Sequence, residues 1–230
     1  MKLSMIVPTF NEEQTIERVI ARVLATKFPA ELELILVDDH STDRTMAIER
    51  RLCERARGVS VKVIRSRTRR GKSACIRRGL KHATGDIVIV QDGDLEYDPR
   101  DIPKLLGPIL DGHAQVSLGS RFLGRWWPRG MGWLSFLANR FLTWLTNRLY
   151  GLRLTDVETC YKAIRRDQLR QLRFRGHRFE FDLELVAQLA RRGARLAERP
   201  ISYSGRTRRE GKKVRARDFV LAVWTLLRER

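Results

Sequence analysis

The first half of the chain alternates short apolar runs with segments of helical periodicity, and no other feature constrains the fold as strongly. Five runs have the length and composition of buried strands: 3–8, 32–38, 59–65, 86–92 and 115–120. After the first run, apolar residues between Ile16 and Leu24 recur at the spacing of one helical face. Strands that alternate with helices predict an α/β fold with a mostly parallel central sheet flanked by helices.

Local signals indicate where the helices start. Asn11 followed by Gln14 has the pattern of an N-cap with its capping-box partner, so the first helix is predicted to begin there. One member of the pair Asp38 and Asp39 is expected to cap the second helix, and Asp98 before Pro99 a later one. A chain of 230 residues with 43% hydrophobic content can bury a sizeable core, which predicts a single domain.

The second half of the chain carries most of the positive charge. The formal net charge is +19, and residues 116–230 contribute +16 of it, with 26 Lys and Arg against 10 Asp and Glu. This imbalance predicts a polyanionic partner, which leaves nucleic acid, an anionic membrane face and phosphorylated ligands open. A solvated basic surface without a partner would explain the same charge.

An acidic cluster follows the fourth apolar run, in the sequence IVQDGDLEYDP at residues 89–99. Asp92, Asp94 and Glu96 alternate along the chain, and Gly93 allows the backbone to turn so that the first two carboxylates converge. Carboxylates without nitrogen or sulfur ligands favour Mg²⁺ or Mn²⁺, with substrate phosphates completing the coordination. The alternative interpretation is a loop of solvated acids at the end of a strand.

Several classes of site are disfavoured. The sequence RTRRGKS at 67–73 places positive charge near a helix N-terminus, which suits an anion. It is not a Walker A loop, because the first glycine of that motif would fall on Ser66, and no GxGxxG follows the first run. Cys53, Cys75 and Cys160 fit neither a disulfide framework nor a zinc site, and we expect reduced thiols.

Five segments together resemble a known family: MIVPTFNEEQTI, LILVDDHSTDRT, RGKSACIRRGLKHATGD, VQDGDLEYDP and LGSRF. In order and spacing they are similar to inverting family-two GT-A glycosyltransferases, most closely the dolichol-phosphate mannose synthase branch. The resemblance continues through ETCYKAIRRD, FEFDLELVAQLARRG and PISYSGRTRREGKK, and so covers nearly the whole chain. It implies a single Rossmann-like GT-A domain over 1–230, with a nucleotide-sugar half at 1–120, an acceptor half at 121–215 and a C-terminal amphipathic helix at 216–230.

The resemblance also implies a function. A hexose would pass from a nucleoside diphosphate sugar to a polyprenyl or dolichyl phosphate, with GDP-mannose favoured as donor and UDP-glucose next. The cofactor would be Mg²⁺ or Mn²⁺. Because a lipid phosphate is already an anionic nucleophile, the transfer would need orientation and a stabilised leaving diphosphate rather than a general base.

The site residues that the resemblance implies fall into four groups, in which Asp94 and Arg121 are expected to act directly in the transfer. The nucleotide would be bound by Pro8, Thr9, Glu12, Asp39, Lys72, Asp92 and Gly93. The metal would be bound by Asp92, Asp94 and Glu96, although relatives frequently carry glutamine at the position of Glu96. The acceptor phosphate would be bound by Arg121, Ser135 and Arg140. A mobile basic loop would contain Arg206, Lys212 and Lys213.

Two other functions stay open at this point. An acceptor hydroxyl would require a carboxylate base, for which Asp156, Glu158 and Asp182 are candidates. A nucleic-acid-binding protein driven by the basic half is a more distant alternative, and we expect no nucleic acid partner, because the acidic sheet edge would repel phosphates without a metal.

An insoluble acceptor requires contact with a membrane, although no run approaches the length of a membrane span. The segment GRWWPRGMGWLSFL combines interfacial aromatics with arginines, and Phe219, Val220, Val223, Trp224 and Leu227 share one face of a terminal helix. Both features predict a cytoplasmic protein bound peripherally to the cytoplasmic face of a membrane. The alternatives for the terminal helix are packing on its own core or on a membrane-protein partner.

Overall fold

A computed structural model describes residues 1–56, 58–176, 180–206 and 216–230. Seven strands form one sheet: β1 Lys2–Thr9, β2 Glu31–Asp38, β3 Ser60–Arg65, β4 Ile87–Val90, β5 Val116–Ser120, β6 Lys162–Arg165 and β7 Leu196–Pro200. The helices are α1 Ile16–Ala25, α2 Thr45–Arg55, α3 Lys72–Leu80, α4 Ile102–Leu110, α5 Trp133–Tyr150, α6 Arg166–Leu169, α7 Phe181–Arg191 and α8 Ala216–Arg228. A 3₁₀ turn at Pro99–Asp101 precedes α4.

The sheet has the strand order β3-β2-β1-β4-β6-β5-β7. Strands β3, β2, β1 and β4 are parallel, and β7 is parallel to β5. Strand β6 lies between β4 and β5 and is antiparallel to both. The mostly parallel α/β sheet predicted from the alternation is therefore confirmed, with one inserted antiparallel strand that the alternation did not predict.

The core lies between the sheet and its flanking helices. In β1, Leu3, Met5, Ile6 and Val7 are fully buried, as a strand covered on both faces requires. Helix α1 buries Ile16, Val19, Ile20 and Val23 of the periodic stripe, whereas Leu24 at its end is exposed. Each buried side chain contributes about 1.5–3 kcal/mol through the area removed from water. The three cysteines are free thiols.

The predicted cap of α1 is wrong. The helix begins at Ile16 rather than beside Asn11, which adopts a left-handed φ of 52°. The Asn11 side chain instead accepts a hydrogen bond from the backbone N–H of Thr42 at 2.9 Å. A contact 31 residues away in sequence thus replaces the local capping bond that the pattern suggested.

The other predicted caps have mixed outcomes. Asp98 accepts a hydrogen bond from the backbone N–H of Arg100, which confirms it as the cap of the turn before α4. Neither Asp38 nor Asp39 caps α2, because Asp43 accepts the hydrogen bond from Thr45 N–H at 3.0 Å. The carboxylate of Asp38 instead accepts from the N–H of Ser41 within the preceding turn.

In the described part of the chain, no helix is both long and apolar enough to cross a membrane.

Candidate active site

Three parallel strands bring polar residues to one edge of the sheet. Thr9 and Asp38 are register partners at the ends of β1 and β2, and β4 ends just before the acidic cluster. The hydroxyl of Thr15 donates to the carbonyl of Gly93 at 2.9 Å. A Cβ on Gly93 would lie 3.0 Å from Thr9 Cγ2, so a side chain there would crowd the end of β1. The ends of β1, β2 and β4 therefore meet at this edge of the sheet.

The residues predicted to bind a nucleotide are fixed by the fold. Pro8 is half-buried, and Thr9 is buried with its hydroxyl donating to Glu49 Oε1 at 2.6 Å. Asp39 accepts hydrogen bonds from the backbone N–H groups of Arg70 and Gly71 at 2.8 and 2.7 Å. The Asp39 carboxylate therefore orients the loop that leads into α3.

Lys72 begins α3 and forms an ion pair with Asp92, with Nζ 2.6 Å from Oδ1. Burial alone would lower the pKa of Lys72, but the nearby charge of Asp92 outweighs it and places that pKa well above its ordinary value. The ammonium group is therefore a permanent positive charge at the end of β4.

The guanidinium of Arg206 occupies the centre of the acidic cluster. Its Nη1 lies 3.1 Å from Glu12 Oε2, its Nη2 contacts Asp94 Oδ2, and its Nε lies 3.7 Å from Glu96 Oε1. The carboxylate of Glu96 also accepts hydrogen bonds from the backbone N–H of Arg206 at 2.8 Å and from the Tyr203 hydroxyl at 2.9 Å. One cation thus neutralises carboxylates from two separate segments.

Asp94 is buried beside these like charges. Burial, followed by the charge of Asp92, raises the pKa of Asp94 to about 7, while Arg206 acts in the opposite direction. The guanidinium therefore does not fully offset the cost of ionising Asp94, and a further cation near this carboxylate would stabilise its charged form.

The donor chemistry of the cluster fits a divalent cation. Within the described ranges, no three histidine, cysteine or acidic side chains are arranged around a common metal position. Asp94 and Glu96 nevertheless present oxygen ligands around a positive charge, which is the ligand type that Mg²⁺ and Mn²⁺ prefer. Asp92 is turned toward Lys72 instead.

Arg121 is held in place by a buried carboxylate. Its Nε and Nη2 donate to Asp156 at 2.7 and 2.8 Å, and Nη2 also donates to Asn139 Oδ1 at 2.6 Å. The guanidinium lies 5.2 Å from the centroid of the Tyr203 ring. Since Tyr203 also donates to Glu96, this ring links Arg121 to the acidic cluster.

Two of the three residues predicted to bind an acceptor phosphate, Arg121 and Arg140, lie beside one aromatic ring. The guanidinium carbons of Arg121 and Arg140 lie 5.9 and 5.7 Å from the centroid of Phe122. Asn139, which contacts Arg121, donates to the backbone carbonyl of Ser135 at 2.6 Å. Arg140 is exposed and Ser135 is half-buried. Lys212 and Lys213, predicted in the basic loop, lie outside the described residues.

The three carboxylates considered as bases differ in their surroundings. Asp156 is fully buried and forms an ion pair with Arg121. Asp182 forms an ion pair with Lys162 at 2.7 Å. Glu158 Oε1 is shielded from solvent and has no hydrogen-bond partner in the described part of the chain. Burial, followed by the charge of Asp182, raises the pKa of Glu158 to about 7, against the opposing effects of Lys162 and Arg121.

An exposed apolar surface extends over α5 and α8. The rings of Phe141 and Phe219 lie 5.8 Å apart and join the two helices. The members of this surface are at least 36% exposed: Trp133, Leu134, Leu137, Phe141, Trp144, Phe219, Val220, Leu221, Trp224 and Leu227. We call these residues of α5 and α8 the apolar surface. Trp126 and Trp127 in the segment before α5 are exposed as well. Exposed apolar patches of this kind mark interaction surfaces.

Gly130 and Gly205 bring the segment that contains Trp126 and Trp127 into contact with the segment that carries Arg206. Gly130 has a φ of 73°, and a Cβ built there would overlap the carbonyl oxygen of Gly205. The N–H of Gly205 donates to the carbonyl of Arg129 at 2.9 Å, beside an isolated β-bridge between Arg129 and Ser204. The two backbones are therefore in direct contact.

Three site residues were not found from the sequence. Glu49 lies on α2 and accepts from Thr9, Asn139 lies on α5 and accepts from Arg121, and Tyr203 joins Arg121 to Glu96. None of them belongs to a motif with a chemical signature. Their only sequence signal is polarity within otherwise apolar or helical segments.

Comparisons with known proteins place the chain in a family. The sequence profile of glycosyl transferase family 2 matches residues 4–173. The chain is 29% identical over 208 residues to the dodecaprenyl-phosphate galacturonate synthase of Rhizobium johnstonii, covering 90% of this chain and 60% of that protein. It is 37% identical over 123 residues to the dolichol-phosphate mannosyltransferase of Pyrococcus furiosus, covering 54% of this chain and 34% of that protein. The chain therefore spans less than two thirds of the length of either relative.

A solved structure confirms the GT-A fold. The glucosyl-3-phosphoglycerate synthase of Mycobacterium tuberculosis, in complex with uridine diphosphate, superimposes with a TM-score of 0.76 at 23% identity. The match covers 99% of this chain and 79% of that one. A second structure of the same protein contains Mn²⁺ with uridine diphosphate. On the extent of the family profile and this shared fold, the chain belongs to glycosyl transferase family 2.

Proposed function

We propose that the protein is an inverting glycosyltransferase that moves a neutral hexose from a nucleoside diphosphate sugar to a polyprenyl phosphate. GDP-mannose is the favoured donor and UDP-glucose the next. The observation that carries the proposal is the arrangement at one sheet edge, where Tyr203 joins the acidic cluster to the buried Arg121. Two relatives are named for transfer to dodecaprenyl phosphate and dolichol phosphate, which supports the acceptor class.

The residues of the chain would divide the work between donor and acceptor. Lys72 supplies a fixed positive charge to the donor diphosphate, and Asp39 holds the loop before α3 against the nucleoside. Arg121, oriented by Asp156, and the exposed Arg140 supply positive charge to the acceptor phosphate. Holding two anionic substrates in line removes much of the entropic part of the barrier.

Asp94 and Glu96 would hold Mg²⁺ or Mn²⁺, with Asp92 nearby. The bound ion supplies Lewis-acid stabilisation of the leaving diphosphate. For this to happen Arg206 has to leave the carboxylates, and its guanidinium then becomes available to the diphosphate. Structures of a fold neighbour with Mn²⁺ or Mg²⁺ and uridine diphosphate support a divalent ion in this fold.

The apolar surface would bring the protein to its insoluble acceptor. It lies on α5, which also carries Ser135, Asn139 and Arg140. Aromatic side chains beside arginines suit the interface of an anionic leaflet. We propose peripheral binding of this surface to the cytoplasmic face of a membrane.

A donor panel tests the proposed function. Radiolabelled GDP-mannose, UDP-glucose and a UDP-uronic acid are incubated with polyprenyl phosphate in detergent and Mg²⁺ or Mn²⁺, and label is counted in the lipid fraction. We expect transfer from a neutral hexose donor, abolished by chelator, and at least about 100-fold slower in Asp94→Asn. Asp167→Asn, an exposed carboxylate in a surface ion pair, is the control and should transfer normally.

Two outcomes would contradict the proposal. Absence of labelled lipid from every donor would refute the acceptor class. Transfer to a glycan hydroxyl with a pH profile that requires a base would favour the alternative reaction instead.

A further inference from the structure

Glu158 lies on the connection that runs from the acceptor side of the site to the donor side. Two residues before it, Asp156 forms the ion pair with Arg121. Two residues after it, Cys160 Sγ lies 3.6 Å from Lys72 Nζ, which in turn pairs with Asp92. Because two residues span at most about 7 Å, the backbone of Glu158 is within that distance of both anchoring positions.

This position has a consequence under the proposed function, on which the inference rests. In a displacement with inversion, the attacking phosphate and the leaving diphosphate lie on opposite sides of the transferred sugar. Lys72 and Asp92 define the donor side, and Arg121 defines the acceptor side. Glu158 lies on the chain segment that connects these two sides, and the sugar would lie between them.

Glu158 differs from the acidic residues near it in having a buried oxygen without a hydrogen-bond partner in the described part of the chain. Neighbouring acids are paired, Asp156 with Arg121 and Asp182 with Lys162. Glu158 Oε1, by contrast, is removed from solvent without a hydrogen-bond partner among the residues described. An unpaired buried carboxylate oxygen is unfavourable, because it has lost its hydrogen bonds to water without gaining others. A ligand hydroxyl that donates to it would remove this penalty.

We propose that Glu158 binds a hydroxyl group of the transferred sugar and selects neutral hexoses over uronic acids. A hydroxyl can donate to the unpaired oxygen, whereas the carboxylate of a uronosyl group would repel it above pH 7, where Glu158 is ionised. Under this proposal Glu158 is a sugar-binding residue rather than a base, since the acceptor phosphate is already anionic.

Calorimetric binding separates this role from a structural one. GDP and GDP-mannose are titrated into the wild type, Glu158→Ala and Glu158→Gln in the presence of Mg²⁺, with UDP and UDP-glucose in parallel. Glu158→Ala should bind the nucleoside diphosphate as the wild type does and the sugar nucleotide about tenfold more weakly. Glu158→Gln keeps one acceptor oxygen and should lose less. Asp167→Asn is the control for loss of a carboxylate elsewhere.

The substitutions also predict a change in selectivity. Relative to the wild type, Glu158→Gln should improve binding of a UDP-uronic acid compared with UDP-glucose, because the repelling charge is gone. Equal weakening of diphosphate and sugar nucleotide, or no weakening of either, would overturn the role of Glu158. If the wild type binds neither nucleoside diphosphate, the proposed function itself fails, and the inference fails with it.

Discussion

At the residue scale, Arg206 and the carboxylates around it form a charge balance that a metal ion would change. The guanidinium contacts Glu12, Asp94 and Glu96, which are 110 or more residues away in sequence. A divalent ion at Asp94 and Glu96 competes with that guanidinium for the same oxygens. Arg206 is therefore expected to weaken metal binding as long as no diphosphate is present to receive it.

Removing the guanidinium tests this competition directly. In Arg206→Gln, the affinity for Mn²⁺ without nucleotide should rise about tenfold, because a competing positive charge has been removed. Electron paramagnetic resonance of free Mn²⁺ measures the dissociation constant. Arg199→Gln, at an exposed position, is the control and should match the wild type. An unchanged Mn²⁺ affinity in Arg206→Gln would contradict competition for these carboxylates.

At the scale of elements, α5 and α8 carry the apolar surface, and its proposed membrane contact is open to test. Trp144→Glu and Val220→Glu each place a charge on this surface at positions about 60% or more exposed, where the fold tolerates it. Both should reduce sedimentation with anionic phospholipid vesicles at least about tenfold, since inserting a carboxylate into the interface is unfavourable.

Leu24→Glu provides the matched control, because Leu24 is an exposed apolar residue on α1, outside the apolar surface. It should bind vesicles like the wild type. Equal loss in all three variants, or no loss in the two on α5 and α8, would remove the membrane from the proposal. A change in oligomeric state for Trp144→Glu alone would indicate that the surface covers a second copy instead.

The sequence predicted some of these elements better than others. The strands β1 to β5 follow from short apolar runs that alternate with segments of helical periodicity. The antiparallel β6 has only four residues, and β7 has the polar sequence LAERP, so neither has a periodic signal. The Asn11 cap was predicted wrongly because its competing partner, Thr42, is distant in sequence.

The site shows the same limit. Acidic residues at the strand ends could be placed at one edge because parallel strands share their carboxyl ends. Their partners could not, since Arg206 and Tyr203 reach the cluster through the fold rather than through local spacing. The sequence identifies the charged residues, but it does not predict which of them form ion pairs with each other.

At the scale of the whole molecule, two buried glutamates should give the stability opposite dependences on pH. Burial raises the pKa of Glu49 from 4.5 to about 7. A raised carboxyl pKa means that the folded state binds the proton more tightly, so this contribution to stability is lost as pH rises from 4.5 to 7. Glu49→Gln should remove the loss, so its gain in unfolding free energy over the wild type should grow to about 3 kcal/mol by pH 7.

Glu33 is the counterpart at the opposite end of the sheet. Burial would raise its pKa, but hydrogen bonds from Ser4, Thr84 and Lys62 lower it to about 2. Its contribution is present above pH 4.5 and is lost as pH falls toward 2, so Glu33→Gln should destabilise most near neutral pH. Urea unfolding of both variants between about pH 2 and pH 8 checks the two signs. Parallel pH dependences in both variants would contradict the assignment.

The contact between Gly130 and Gly205 has a mechanical consequence. Here two main chains touch with no side chain between them, and a Cβ on either glycine would overlap the backbone of the other. The tryptophans at 126 and 127 stand on one side of it, and Arg206 is the residue directly after the other side. A shift of the main chain at Gly130 would therefore have to displace Gly205, the residue directly before Arg206.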